Sequence, residues 1–480
     1  MSAIEWLSRS IEPAAIAEPP VADRITIPEV TVTPLDRPSK DRIGLLPSHV
    51  TGLPPTIWSN SDEDTLVALV RAERVETLPA LQDFLRVMML AEADPPRGAG
   101  PEGALFLARI DKLLDLGALE PAKSLIEEAN PDTPALFRRW FDVALLNGTE
   151  DQACNALRSA PSVAPTASAR IFCLARNGDW NAAALTLNTN RVLGDISPAE
   201  EALLSRFLDT ELYEGEPPLP RPERVSPLVF RMHEAIGEPL ITANLPLAFA
   251  HADLRTTTAW KSQLGAVERL ARHGAVSENV MQDVYTARTP AASGGVWDRA
   301  EAMQKFDTAL KSNEIDQIAS TLPAAWEAVK SAQAEVLFAK LYAADLQELP
   351  LQGQTDDIAF EIGLLSQNYE LVARSGAKTG KDPFMIALAR GAPQEVRTTD
   401  PLRIGIQAAF NGAPPPQVLL NLVAQGKLGE ALLRGMAIFH EGLAGDVRSV
   451  TDALALFRSV GLEDLARRTA LQLLILERSA

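Results

Sequence analysis

The sequence predicts an all-α protein, an α-solenoid of antiparallel helical hairpins with a disordered proline-rich N-terminal arm. Three observations carry that expectation. Ala and Leu are abundant while aromatic residues make up 5% of the 480 residues, which favours helices packed closely through small side chains. Alternating apolar and polar runs, the mark of strands, are rare. A Gly-containing turn with Ala five positions after the Gly recurs along the chain, as expected of stacked helical units.

Hydrophobic residues at 46% are enough for a substantial core, and the length fits about two to four ordinary domains or one long repeat array. The net charge of -18 repels phosphate backbones and anionic lipid, and no run of Lys or Arg offsets it, so nucleic acid is not an expected partner and a basic protein is. The excess of Arg over Lys reads as the composition of a GC-rich bacterial genome. Cys154 and Cys173 each fall inside an expected helix and read as buried, reduced thiols, with a pair between them as the alternative in a secreted protein. The start, MSAIEWLSRSIEP, lacks the basic and apolar regions of a signal peptide, and no transmembrane run of about 18 apolar residues occurs, so the expected location is cytoplasmic.

Residues 1–12 form a short amphipathic segment with Ile4, Leu7 and Ile11 on one side and Trp6 pointing away. These four residues are the candidate partner-docking group. The segment reads as a tethered docking peptide, as a tip folding back on its own body, or as disordered chain. Residues 13–58 form a proline-rich linker with nine prolines between Glu12 and Thr56, and two short alternating runs within it, 24–27 and 30–33, have the pattern of an added edge strand. The folded body is expected from near Asp62, where Ser61-Asp62-Glu63-Asp64 supplies cap residues and acids to a helix start.

Residues 59–215 are expected to form N-terminal hairpin repeats. Three turns carry the unit: Leu116-Gly117 to Ala122, Asn147-Gly148 to Ala153, and Asn177-Gly178 to Ala183, with glycines 31 and 30 residues apart. Gly can take the left-handed conformation that stops the first helix, and Ala one turn into the second lets the backbones approach. Ser197-Pro198-Ala199-Glu200 then predicts a capping box. Residues 216–224 are a proline-rich break, read as a rigid spacer more readily than as a PxxP ligand. Residues 225–355 are an irregular helical middle region. Residues 356–480 repeat the turn at Gly426 to Ala431 and Gly461 to Ala466, with a looser version at Asn368 to Ala373 in which Asn would take the left-handed position.

The Gly178-Asp179-Trp180 and Ala183 turn resembles the inter-helix turn of tetratricopeptide (TPR) repeats. The likeness covers roughly residues 100–215 and 360–480. It departs from that family in the short period and in lacking the Trp-x-x-Leu-Gly-x-x-Tyr opening, so no peptide-clamp residue is transferred. The resemblance implies a TPR-like stack that holds partner peptides on a helical surface.

Motifs for chemistry are sparse. His233-Glu234 and His440-Glu441 begin like a zinc-protease helix, but Gly237 and Ala444 stand where the second His is needed. His251 and Asp253 are two apart, which points them away from each other on a helix. No cofactor is expected. A candidate anion or ligand loop is formed by Arg288, Ser293, Gly294, Gly295 and Arg299, against which stands the plainer reading of a tight connection with Trp297 packed above it. Trp180, Trp260, Trp297 and Cys173 read as core residues of an Ala-rich interior. The resulting expectation is a non-enzymatic protein-interaction scaffold or adaptor. A structural component of a larger cell-envelope or motility assembly, and an enzyme on an α/α toroid or helical superhelix, are its rivals.

Overall fold

The computed structural model describes residues 39–377 and 380–476. Among these residues the protein is all-helical, with helices packed in neighbouring pairs and no strand beyond two isolated bridges, Leu46 with Ala91 and Asp62 with Arg97. The docking group Ile4, Trp6, Leu7 and Ile11, and the two short alternating runs of the proline-rich segment, lie outside the described residues.

The hairpin turns follow one local rule. Gly117, Gly148, Gly178, Gly426 and Gly461 all have positive φ, between +70° and +85°. In each turn the N–H after the Gly donates back five residues: Ala118 to Leu113 O, Thr149 to Ala144 O, Asp179 to Leu174 O, Lys427 to Leu422 O and Leu462 to Phe457 O, at 2.8–2.9 Å. This closes the carbonyls left open at the helix end. The alanines five positions after these glycines, Ala122, Ala153, Ala183, Ala431 and Ala466, are all fully buried. The paired helices are Ala104–Asp115 with Leu119–Glu128, Pro134–Asn147 with Glu150–Ser159, Ala167–Arg176 with Trp180–Leu193, Gln417–Ala424 with Leu428–Leu443, and Val447–Ser459 with Glu463–Ile475.

The turn at Asn368 differs from expectation, because Asn368 has φ -94° and does not take the left-handed position. Ser366 shapes that turn instead: its hydroxyl donates to Gly363 O at 2.7 Å and accepts from Asn368 N–H at 3.1 Å. Conversely, the middle region contains left-handed turns without glycine, at Asn313 and Gln333, both at φ +55°. They separate Val296–Ser312, Ile315–Ala332 and Glu335–Gln347.

The chain joins the body before Asp62. Residues from Ser39 onward run along the first helices, and Leu53, Ile57 and Trp58 enter the main core. The extended backbone that the prolines impose is paid for by specific partners. Arg109, fully buried on Ala104–Asp115, donates to the carbonyls of Asp41, Ile43, Met89 and Ala91 at 2.8–3.1 Å. Asp41, also fully buried, accepts from Phe106 N–H at 2.6 Å.

Core membership does not divide at the proline-rich 216–224 stretch. Leu228 and Met232, beyond it, share a core with Phe137, Phe141, Phe172 and Leu204, before it. Arg206 holds the stretch down by donating to Pro217 O at 2.8 Å and to Glu238 at 2.8 Å. The expected capping box at Ser197 and Glu200 is present in both directions.

The cysteines correct the expectation of reduced thiols. Cys154 and Cys173 form a disulfide, with Cα atoms 4.9 Å apart, joining Glu150–Ser159 to Ala167–Arg176. Successive hairpins place these two helices side by side, and each cysteine sits on the facing side. The first and last units also touch. Gly429 N–H donates to Ile57 O at 2.9 Å, and Ala80 N–H donates to Gln472 Oε1 at 2.8 Å.

Candidate functional site

The loop singled out from the sequence is occupied by the chain's own carboxylates. Gly294 N–H donates to Asp298 Oδ1 at 2.7 Å, and Arg299 makes two hydrogen bonds, 2.7 and 2.5 Å, to Glu268, which also accepts from Tyr285 at 2.8 Å. Burial, with Glu268 beside it, holds the Tyr285 phenol well above its usual range. Gly294 and Gly295 have positive φ, as a tight connection into Val296–Ser312 requires. Arg288 and Ser293 remain exposed. Trp297 packs on buried Trp260 with ring centroids 5.2 Å apart, in the role read for both.

His251 and Asp253 do not converge. His251 Nε2 donates to Gly117 O at 2.7 Å, and Asp253 accepts from the Thr242 hydroxyl. Burial lowers the His251 imidazole and raises the Asp253 carboxyl. Among the described residues no group of three or more His, Cys, Asp or Glu is placed to hold a metal ion.

The surface that departs most from the rest of the molecule is the outer face of Trp180–Leu193. Asp179 caps the helix by accepting from Ala182 N–H at 3.1 Å, and Ala183 and Leu187 turn inward. The remaining large apolar side chains turn outward: Trp180 is 51% exposed, Leu185 69%, Val192 82% and Leu193 67%. Trp180 is therefore a surface residue, contrary to the core role expected for it. Three of the polar side chains between them bond within the helix, Thr186, Thr189 and Asn190 each donating to the carbonyl four residues earlier at 2.7–2.9 Å. The helix carries one charged residue, Arg191, which pairs with Glu201 at 3.2 Å. In a chain with 22% charged residues, an exposed helix face this poor in charge has the composition of an interface centre.

A cavity of about 850 Å³ lies where Ile315–Ala332 meets the last helix. Its cations are engaged: Lys330 pairs with Glu327, Lys381 with Asp356 at 2.6 Å, and Arg403 with Asp382 at 2.8 Å. Compared with protein families, with curated proteins and with solved structures, the chain shows no match.

The Trp180 face was missed in the sequence because a helix preceded and followed by others is expected to be covered on both sides. The signal available was WNAAALTLNTNRV itself, whose apolar residues go round the helix and whose charge is nearly absent.

Proposed function

We propose that this protein is a non-enzymatic interaction scaffold, a TPR-like α-solenoid whose docking surface is the outer face of Trp180–Leu193. The observation that carries this reading is the exposure of Leu185 and Val192 together on the outer side, flanked by Trp180 and Leu193, on a helix with one charge. The partner is a protein segment with an apolar stripe and basic flanks, since the chain's charge of -18 favours positive groups around the contact. The segment with Ile4, Trp6, Leu7 and Ile11 is a second docking route.

The Cys154–Cys173 bridge favours a second reading of where the scaffold works. Disulfides persist in oxidising compartments and are rare in the cytosol of mesophiles, so the bridge supports a component of a cell-envelope assembly over a cytoplasmic adaptor. No described helix is long and apolar enough to cross a membrane.

The test is affinity capture from the native host with the full chain, with Leu185→Asp/Val192→Asp, and with a variant lacking residues 1–38. Loss of one defined partner with the double variant supports the face. Loss only on removing the arm moves docking to residues 1–12, and an unchanged partner list for both removes the proposal. Because Leu185 and Val192 are exposed, the double variant should keep the unmodified chain's thermal midpoint.

A further inference from the structure

A second cavity, of about 460 Å³, lies between the loop that follows Glu63–Ala72, the C-terminal end of Ala104–Asp115, and the turn at Pro246 and Leu247. Its wall contains a carboxyl the fold does not use. Glu73 is 6% exposed, and its Oε2 has no hydrogen-bond partner among the described residues. The nearby ammonium does not answer it. Lys112 Nζ is spent on the Glu73 and Arg71 carbonyls, at 2.7 and 3.3 Å, and on Asp115 at 3.3 Å. A buried carboxyl oxygen without a partner is costly, and the Glu73 side chain that carries it lines the cavity, where the rest of the carboxyl is within reach of a ligand.

The mouth shows which ligand. Arg71 and Arg74 are exposed and form no ion pair or side-chain hydrogen bond among the described residues. The lining carries three basic and three acidic side chains, but Lys112 pairs with Asp115 at 3.3 Å and Glu76 lies 3.4 Å from His273, which leaves Arg71 and Arg74 as its cations without a carboxylate partner. Val75, Pro246 and Leu247 supply an apolar wall.

We propose that this cavity binds a small organic carboxylate with an apolar body, held by the Arg71 and Arg74 guanidinium groups at the mouth and by the Glu73 carboxyl at the wall. The guanidinium forks match a carboxylate, and the protonated Glu73 O–H donates to one of its oxygens. Burial pushes the Glu73 carboxyl up to about 8, with Lys112 pulling it back down, so near neutrality the group is a donor and not a competing anion. The other ionisable groups facing it are fixed by neighbours. His273, from the end of Trp260–Arg272, lies 3.1 Å from Gln82 and 3.4 Å from Glu76. His440, facing Arg74 from Leu428–Leu443, is lowered by burial and by that arginine to about 4 and stays neutral. This inference is independent of the Trp180 face.

Calorimetric titration of the full chain with hexanoate, hexanamide and hexylamine tests it. Hexanoate should bind saturably with a Kd of about 1 mM or tighter, and hexylamine should not. Arg71→Ala/Arg74→Ala, at exposed positions, should weaken hexanoate more than about tenfold, the loss expected for hydrogen bonds to charged groups. Affinity should fall as pH passes upward through about 8, and Glu73→Gln should abolish that fall while binding below it is kept. Equal binding of hexylamine, absence of saturable hexanoate binding, or full affinity in the double arginine variant would each overturn the proposal.

Discussion

The Trp58 ring packs against Gly429, and this contact joins the start of the folded chain to its C-terminal hairpins. The Gly429 N–H donates to Ile57 O at 2.9 Å, and a Cβ at position 429 would meet the Trp58 ring and come within 2.8 Å of the Ile57 carbonyl. The backbone carbonyl cannot move aside without breaking that bond. Gly429→Ala should therefore destabilise the protein by roughly 1–3 kcal/mol, as overpacking does. Gly265→Ala is the control, because Gly265 lies in Trp260–Arg272 with nothing within 4 Å of the added methyl. It should stabilise by roughly 0.5–1 kcal/mol through helix propensity. Chemical denaturation of the two variants decides the matter, and equal midpoints would show that the Trp58 contact is loose.

The Cys154–Cys173 bridge closes a loop with a sequence separation of 19 residues. Loop closure of this length limits the unfolded chain by about 3 kcal/mol. Reduction, or Cys154→Ser/Cys173→Ser, should lower the stability of the core around Phe137, Phe172 and Leu204 by about that amount and leave helix content near its original value. Thiol titration of the denatured, unreduced protein should find no free thiol. Two titratable thiols would show that the cysteines are unpaired in the isolated protein.

The hairpin turns were legible because a left-handed helix stop is a local demand that Gly meets at low cost, and five positions announce it. The turns at Asn313 and Gln333 were not, since residues other than Gly take that conformation only where surrounding packing holds them there. The disulfide, the burial of Trp58 and the carbonyl cluster around Arg109 depend on partners far away in the sequence, and no local pattern encodes them. For the candidate sites the difficulty was coverage. Local sequence shows that Trp180–Leu193 is a helix but not whether another element lies over Trp180, and it does not reveal that Glu73 is enclosed.

Glu73 gives the stability of the protein a pH dependence whose direction follows from burial. The folded chain keeps a proton up to about 8, while the unfolded chain releases it near the ordinary value of 4.5. The carboxyl's contribution is complete below that ordinary value and is lost progressively as pH rises through about 8. Glu73→Gln removes the ionisable group and keeps the shape. Its advantage over the unmodified chain should grow across that window to on the order of a few kcal/mol, and should be flat above it. Denaturation midpoints at several pH values provide the measurement. A difference that does not vary with pH would mean Glu73 titrates normally and is solvated.

Arg109 is the clasp that holds the N-terminal segment to the first helices. Burial pushes its guanidinium down to about 10, with Asp41 opposing the shift, so it remains charged at neutral pH and needs every acceptor it has. Its Nε, Nη1 and Nη2 atoms reach carbonyls on two separate strands of chain, 41–43 and 89–91. An ammonium is a single point and cannot span both. Arg109→Lys should therefore leave carbonyls on one side without donors, at a loss of at least about 3 kcal/mol when the unmet groups are counted together. The local effect should exceed the global one: trypsin should cut at Lys40 and Arg42 well before the main core opens, because the backbone bonds kept at Leu45 and Leu46 lie beyond those sites, their N–H groups to Leu90 O at 2.8 and 3.0 Å and Glu92 N–H to Leu46 O at 2.9 Å. Unchanged cleavage at Lys40 and Arg42 in the Lys variant would show that the segment is held by its other contacts, and that the Arg109 network contributes little to its docking.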